Sequence, residues 1–130
     1  MNILLIDDHA ETRKAMSSLI SAEKDLCVVA EAATGEEGVL KACELKPDVV
    51  MMDIILPGIN GIEATKALLA NNPEAKVLVL SNHSGRILVQ ALLSANVKGY
   101  IRKDRAFEEL IPAIRSIAAG GQYLGQGIND

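Results

Sequence analysis

Five short aliphatic runs recur along the chain, and their spacing constrains the fold more than any other feature. They are ILLI (3–6), CVVA (27–30), VVMM (49–52), VLVL (77–80) and the weaker GYI (99–101). Each is too short for a helix and rich in aliphatic or β-branched residues, so each reads as a buried strand. The intervening stretches carry helix signals. Asp8 to Glu11, Thr34 to Glu37 and Asn60 to Glu63 each place a cap residue three positions before Glu, the pattern of a capping box. In the last segment Phe107, Leu110, Ile111, Ile114, Ile117 and Ala118 keep a helical period, which Gly120-Gly121 ends. If that helix begins near Arg105, Pro112 lies inside it and predicts a kink, because its ring displaces the carbonyl of Glu108. Five strands alternating with five helices predict an α/β fold with a parallel sheet covered on both faces. Strand order does not follow from the residues. In such sheets ligands bind at the carboxyl ends of the strands.

Composition narrows the class. A chain of 130 residues suits one domain, and a hydrophobic content of 49% supplies an ample core. Aromatics are only 2%, so that core is built from Val, Ile, Leu, Met and Ala. A net charge of −4 argues against a domain that coats nucleic acid. No apolar run approaches the ~18–20 residues of a membrane span. The start, MNILLIDD, turns acidic at once and is no secretory signal, which makes a cytoplasmic protein the expectation. Cys27 and Cys43 are expected to be buried or half-buried free thiols. His9 and His83 have no Cys or His partner at ligand spacing, which argues against a zinc site, and both read as solvated loop residues. Gly35-x-x-Gly38 lacks the full glycine pattern of a nucleotide-binding loop.

The residues that close the runs carry the chemistry. In VVMMDIILPG (49–58) a carboxylate, Asp53, ends an otherwise apolar strand. An ionised group left unpaired in a core costs several kcal/mol, so Asp53 must stand at the sheet edge or find compensation there. The first run ends in Asp7-Asp8, the fourth in Ser81, and Lys103 follows the fifth. A parallel sheet places all of these on one edge. Three carboxylates together would raise one another's pKa. A hard divalent cation such as Mg²⁺ relieves that repulsion and suits phosphoryl chemistry. Ser81 offers a hydroxyl to a phosphoryl oxygen, Lys103 a mobile positive charge, and an aspartate can itself be phosphorylated.

With those residues in place, the sequence resembles a bacterial two-component response-regulator receiver domain along nearly its whole length. The match rests on DD at 7–8, MMDIILPGINGIE around Asp53, LS at 80–81 and GYIRKD at 99–104. The resemblance implies a flavodoxin-like (βα)5 fold, a doubly wound five-stranded parallel sheet of order 2-1-3-4-5. It implies a receiver over residues 1–120, with 121–130 a tail or the start of a linker. Asp53 would accept a phosphoryl group from a sensor histidine kinase, assisted by Lys103 and Ser81. Asp8, Asp53 and the backbone carbonyl of Ile55 would hold Mg²⁺ (or Mn²⁺), with Asp7 acting mainly through water. Ser81 would turn inward to a phosphoryl oxygen, and Tyr100 would follow from outside to inside. Asn82, His83 and Ile55 flank the site and would tune access and phosphoryl lifetime. Homodimers through the fourth helix, fifth strand and fifth helix, or through helices one and five, are both implied as options.

The sequence departs from the family at two points. Asp104 stands where many receivers have proline, and reads as a cap for the last helix. Asn82 follows Ser81 where a smaller residue is common. The ending AIRSIAAGGQYLGQG resembles receivers of LuxR/NarL-type transcription regulators, in which a DNA-binding helix-turn-helix domain follows; a receiver cut from such a protein is favoured over a stand-alone one. A Mg²⁺-dependent phosphohydrolase is disfavoured, because Ile55 occupies the place of its second aspartate. A pseudo-receiver, an interaction module that is never phosphorylated, is opposed by the intact set Asp8, Asp53, Ser81 and Lys103.

Overall fold

A computed structural model describes residues 1–82 and 85–128 of the chain. The chain alternates strand and helix: β1 (Asn2–Ile6), α1 (Ala10–Ser21), β2 (Cys27–Ala32), α2 (Gly35–Leu45), β3 (Val49–Asp53), α3 (Gly61–Asn71), β4 (Val77–Ser81), α4 (Arg86–Ser94), β5 (Gly99–Arg102), a 3₁₀ turn (Lys103–Arg105), α5 (Ala106–Ala118) and β6 (Tyr123–Leu124). The sheet order is β2-β1-β3-β4-β5-β6, and all pairings are parallel. The doubly wound fold and the order of the first five strands are those the resemblance implied. The sixth strand is an addition. Its two residues sit between glycines and form no apolar run, so periodicity could not reveal them.

Strand alternation splits the core in two. Leu4, Ile6, Val50, Met52, Val77, Val79 and Tyr100 pack with α2, α3 and α4 residues such as Ala42, Leu68 and Leu92. Ile3, Leu5, Val49, Met51, Leu78, Leu80 and Ile101 pack instead with Met16 and Ile20 of α1 and Leu110, Ile114 and Ile117 of α5. The central strands, buried on both faces, are therefore continuous apolar runs. β2 is an edge strand, and Cys27 and Val29 on it are exposed. Both cysteines are exposed free thiols, contrary to expectation. Cys27 belongs to that uncovered edge, and Cys43 lies outside the buried stripe of α2.

Two of the three expected caps form. Thr34 accepts from the Glu37 N–H at 3.1 Å and Asn60 accepts from the Glu63 N–H at 2.9 Å. The third does not: the N-cap of α1 is His9, one residue later than Asp8, and its side chain makes no capping bond. Asp104 likewise caps nothing; it takes a two-pronged bond from Arg102 at 3.0 and 2.9 Å. α5 begins after Arg105 and runs through Pro112.

One glycine is dictated by the acidic edge. The Gly61 N–H donates to Ile54 O at 2.7 Å, bringing the start of α3 against the end of β3. A Cβ at Gly61 would lie 2.2 Å from Asp53 O and 2.5 Å from Ile54 Cα. Both neighbours are backbone and cannot step aside cheaply. Gly61→Ala is expected to cost about 1–3 kcal/mol, in the range of overpacked cores. An unchanged urea midpoint would contradict this close approach.

Candidate functional site

The ends of β1, β3, β4 and β5 meet at one edge, where β1 delivers Asp7 and Asp8, β3 Asp53, β4 Ser81 and the turn after β5 Lys103. Asp7 and Asp53 are each only 4% exposed. The Lys103 amine donates to Asp53 Oδ2 at 2.9 Å and lies 3.3 Å from Asp7 Oδ2. The Ile55 N–H reaches back to Asp53 Oδ1 at 3.3 Å. One oxygen each from Asp7, Asp8 and Asp53 and a ring nitrogen of His9 lie within 4.8 Å of one another. This cluster could hold a metal ion.

The surroundings fix these groups. The Asp7 N–H donates to Ala32 O at 3.0 Å, tying the end of β1 to β2. Arg13 of α1 donates to the Asp7 carbonyl and to Glu31 Oε1. Arg13 was not singled out from the sequence; its only signal is its place, beside Lys14, one turn into the helix that follows the aspartates. His9 is the largely exposed loop residue that was expected, and in addition its N–H donates to Asp7 Oδ1 at 2.8 Å and its ring joins the cluster. Across the edge Ser81 is 1% exposed and Tyr100 is fully buried. The two side chains share a hydrogen bond, with the Tyr100 ring inside the core. Asn82 and Ile55 are exposed beside the pocket. His83, expected to modulate the site, lies outside the described residues.

Electrostatics follow from burial and charge count. Burial is the largest influence on Asp53 and lifts its carboxyl above the ordinary value, with the charge of Asp7 adding to it; Lys103 and the Ile55 N–H pull it back without cancelling the rise. Burial also opposes the charge on Lys103, but Asp53 and Asp7 together outweigh it and hold the amine above the usual lysine value. Burial likewise raises the Tyr100 phenol.

A doubly wound α/β protein with an anionic pocket at the carboxyl ends of its strands, crossed by a single lysine, is thereby defined. A family model for the response regulator receiver domain matches residues 3–115, and the chain belongs to that family. Response regulator GacA of Pseudomonas protegens is 38% identical over 128 residues, covering 98% of this chain and 60% of that protein. Response regulator UvrY of Escherichia coli is 36% identical over 129 residues, covering 98% of this chain and 59% of its own length. The chain thus spans about three fifths of these relatives. A crystal structure of a LuxR-family two-component response regulator from an Aurantimonas species matches with a TM-score of 0.94 at 35% identity, over 98% of this chain and 91% of the other. The response regulator domain of Thermotoga maritima CheB matches with a TM-score of 0.86 at 32% identity, over 92% and 96%.

Removing the lysine that pairs with Asp53 and Asp7 tests the charge balance. In metal-free buffer Lys103→Met is expected to raise the Asp53 carboxyl further, as read by carboxyl-carbon NMR titration. A carboxyl whose folded pKa exceeds its unfolded value makes the fold less stable as pH rises through that folded pKa. The stability lost in Lys103→Met is therefore larger near pH ~7 than near pH ~4, reaching up to about 3 kcal/mol for a broken, mostly buried pair. Equal losses at both pH values would refute this balance.

Proposed function

We propose that the chain is a phosphorylation-dependent signalling switch in which Asp53 accepts a phosphoryl group from the phosphohistidine of a sensor histidine kinase. The observation that carries this reading is the convergence of Asp53, Asp7, Asp8 and Lys103 on one buried edge. A carboxylate oxygen of Asp53 attacks phosphorus, an O–P bond forms, and the N–P bond breaks as the imidazole nitrogen leaves. Asp8, Asp53 and the Ile55 carbonyl are the residues that would hold Mg²⁺ (or Mn²⁺), with Asp7 acting through water; the ion's chemistry is neutralisation of phosphoryl charge. Lys103 keeps its positive charge across the neutral range and serves a phosphoryl oxygen once Asp53 is esterified. Ser81 donates its hydroxyl to another phosphoryl oxygen, and Tyr100 stabilises that inward arrangement. Asn82 narrows access at the rim.

The phosphoryl group carries about −1.5 to −2 charges in place of the single carboxylate charge it replaces, offers three strong acceptors, and shifts the population of receiver conformers only by its differential contacts with them. Two faces flank the pocket and are proposed for partners or a homodimer. α4 carries Ile87, 87% exposed, and Phe107 of α5, 80% exposed, lies beside α1 on the α1–α5 face. Regulation of transcription, through a DNA-binding domain beyond this chain, is proposed from kinship with the transcriptional regulatory protein DegU of Brevibacillus brevis, 37% identical over 124 residues. Among the described residues no helix is long and apolar enough to cross a membrane.

Acetyl phosphate with Mg²⁺ is expected to phosphorylate the wild-type chain, as seen by intact mass. Chelation of the metal or Asp53→Asn abolishes the product, and Asn82→Ala accelerates its formation. Beryllofluoride with Mg²⁺ is expected to shift the amides of Asp53 and Ser81. Silence of those amides would instead favour a module that binds partners without phosphorylation.

A further inference from the structure

Residues 122–128 are built into the fold by contacts that the proposed phosphoryl transfer does not use. β6 lies on the outer edge of β5, where the Tyr123 N–H donates to Lys98 O at 3.0 Å and the Gly125 N–H to Tyr100 O at 2.9 Å. Side chains anchor the segment to opposite faces of the sheet. Tyr123 packs with the α1 and α5 cluster, and Ile128 packs against the cluster that contains Tyr100 and Leu92. Two glycines let the chain pass so close. A Cβ at Gly125 would lie 2.6 Å from Glu109 Oε2 and 3.0 Å from Ile101 Cγ2, and Gly127 has a φ of +84°. The segment therefore clasps the β5 edge from both sides, as a strap.

The same contacts carry a cost. Glu109 of α5 is 8% exposed, and its Oε1 accepts the Gln126 N–H at 2.8 Å and the Tyr123 hydroxyl at 3.4 Å. Both donors belong to the strap. Docking strips water from this carboxylate and from Arg105, which donates to the Gln126 side chain. It leaves Glu109 Oε2 and Arg105 Nε buried without a hydrogen bond among the described residues. Burial without a partner offsets part of what the backbone bonds and the apolar anchors contribute. Tyr100 joins this balanced segment to the acidic edge: its carbonyl holds Gly125, and its side chain bonds Ser81. We propose that residues 122–128 are a releasable strap whose docking on β5 is coupled, through Tyr100 and Ser81, to occupancy of the phosphoryl site. A Ser81 hydroxyl that donates to a phosphoryl oxygen becomes a better acceptor for Tyr100, which fixes the carbonyl that the strap grips. The coupling is reciprocal, so a docked strap also favours the anion. The effector in this inference rests on the phosphoacceptor reading of Asp53, whereas the strap rests on the contacts above.

The test follows hydrogen exchange of the Gly125 and Gln126 amides in the full chain, with beryllofluoride and Mg²⁺ as the probe. The wild type is expected to protect both amides, and the probe to raise that protection about fivefold or more. Gly125→Ala cannot dock without displacing Glu109 and Ile101. It is expected to lose the protection of Gln126 and to bind beryllofluoride more weakly by the same factor. Tyr100→Phe keeps the carbonyl and the ring but lacks the hydroxyl, so its strap stays docked and no longer responds to the probe. The wild-type measurement needs no variant and decides the matter even where Gly125→Ala folds poorly. Two results overturn the inference while the receiver reading stands. In one, the probe moves the Asp53 and Ser81 amides but leaves exchange at Gly125 and Gln126 unchanged. In the other, those two amides exchange as freely as in an unstructured peptide. If the probe moves no amide around Asp53, both readings fall.

Discussion

One ammonium group stands between two buried carboxylates, and the functional edge of the sheet is organised around that shortage of positive charge. Lys103 reaches both Asp53 and Asp7, and Asp8 adds a third negative group close by. Like charges in a medium of low dielectric repel strongly, which is why Asp53 is lifted despite its lysine. A phosphoryl group would bring about two negative charges into this space in place of the one carried by the Asp53 carboxylate it esterifies, a net gain of about one. Charge counting alone therefore makes the proposed reaction depend on a divalent cation: without one, product formation deepens the deficit that the folded state already carries.

The fold keeps this unfavourable arrangement because the rest of the sheet holds the groups in place. Asp7 and Asp53 end strands whose preceding four residues are packed from both faces. Alternation puts Asp53 in register with Met51, toward α1 and α5, and Ser81 in register with Val79, toward α3 and α4. The pocket is thus straddled by side chains from both faces of the sheet. Gly61 lets the start of α3 approach the Asp53 backbone, and Arg13 fixes the Asp7 carbonyl.

Much of this was legible in the residues because it is local. Four apolar residues followed by Asp53, or by Ser81, announce a strand and the group at its end without any knowledge of neighbours. Strand order is not local, and it came from resemblance. So did the exposure of CVVA fail to be read: its apolar run looks like an interior strand, and only its place at the edge leaves Cys27 and Val29 uncovered. Asp8 and Asp104 satisfied capping patterns, but each found a competing partner, His9 in one case and Arg102 in the other. The contacts of His9 were missed because its partners are the two carboxylates directly before it, Asp7 and Asp8, which a search for His and Cys spacing does not sample. β6 depends on backbone pairing with β5 rather than on a hydrophobic pattern.

β5 joins the pocket to the end of the described chain through a single residue. The Tyr100 side chain bonds Ser81, while its carbonyl accepts the Gly125 N–H at 2.9 Å just beyond β6. Glu109 of α5 secures the same segment by accepting the Gln126 N–H at 2.8 Å. A hydroxyl offers one donor and two acceptor positions, so Ser81 can accept from Tyr100 and still donate toward a phosphoryl oxygen. In the proposed switch the inward Tyr100 is therefore compatible with the phosphorylated state rather than a competitor of it. A relay running Tyr100 to Ser81 to phosphoryl would hold β5 in one position, and β6, paired to the same backbone, would be held with it.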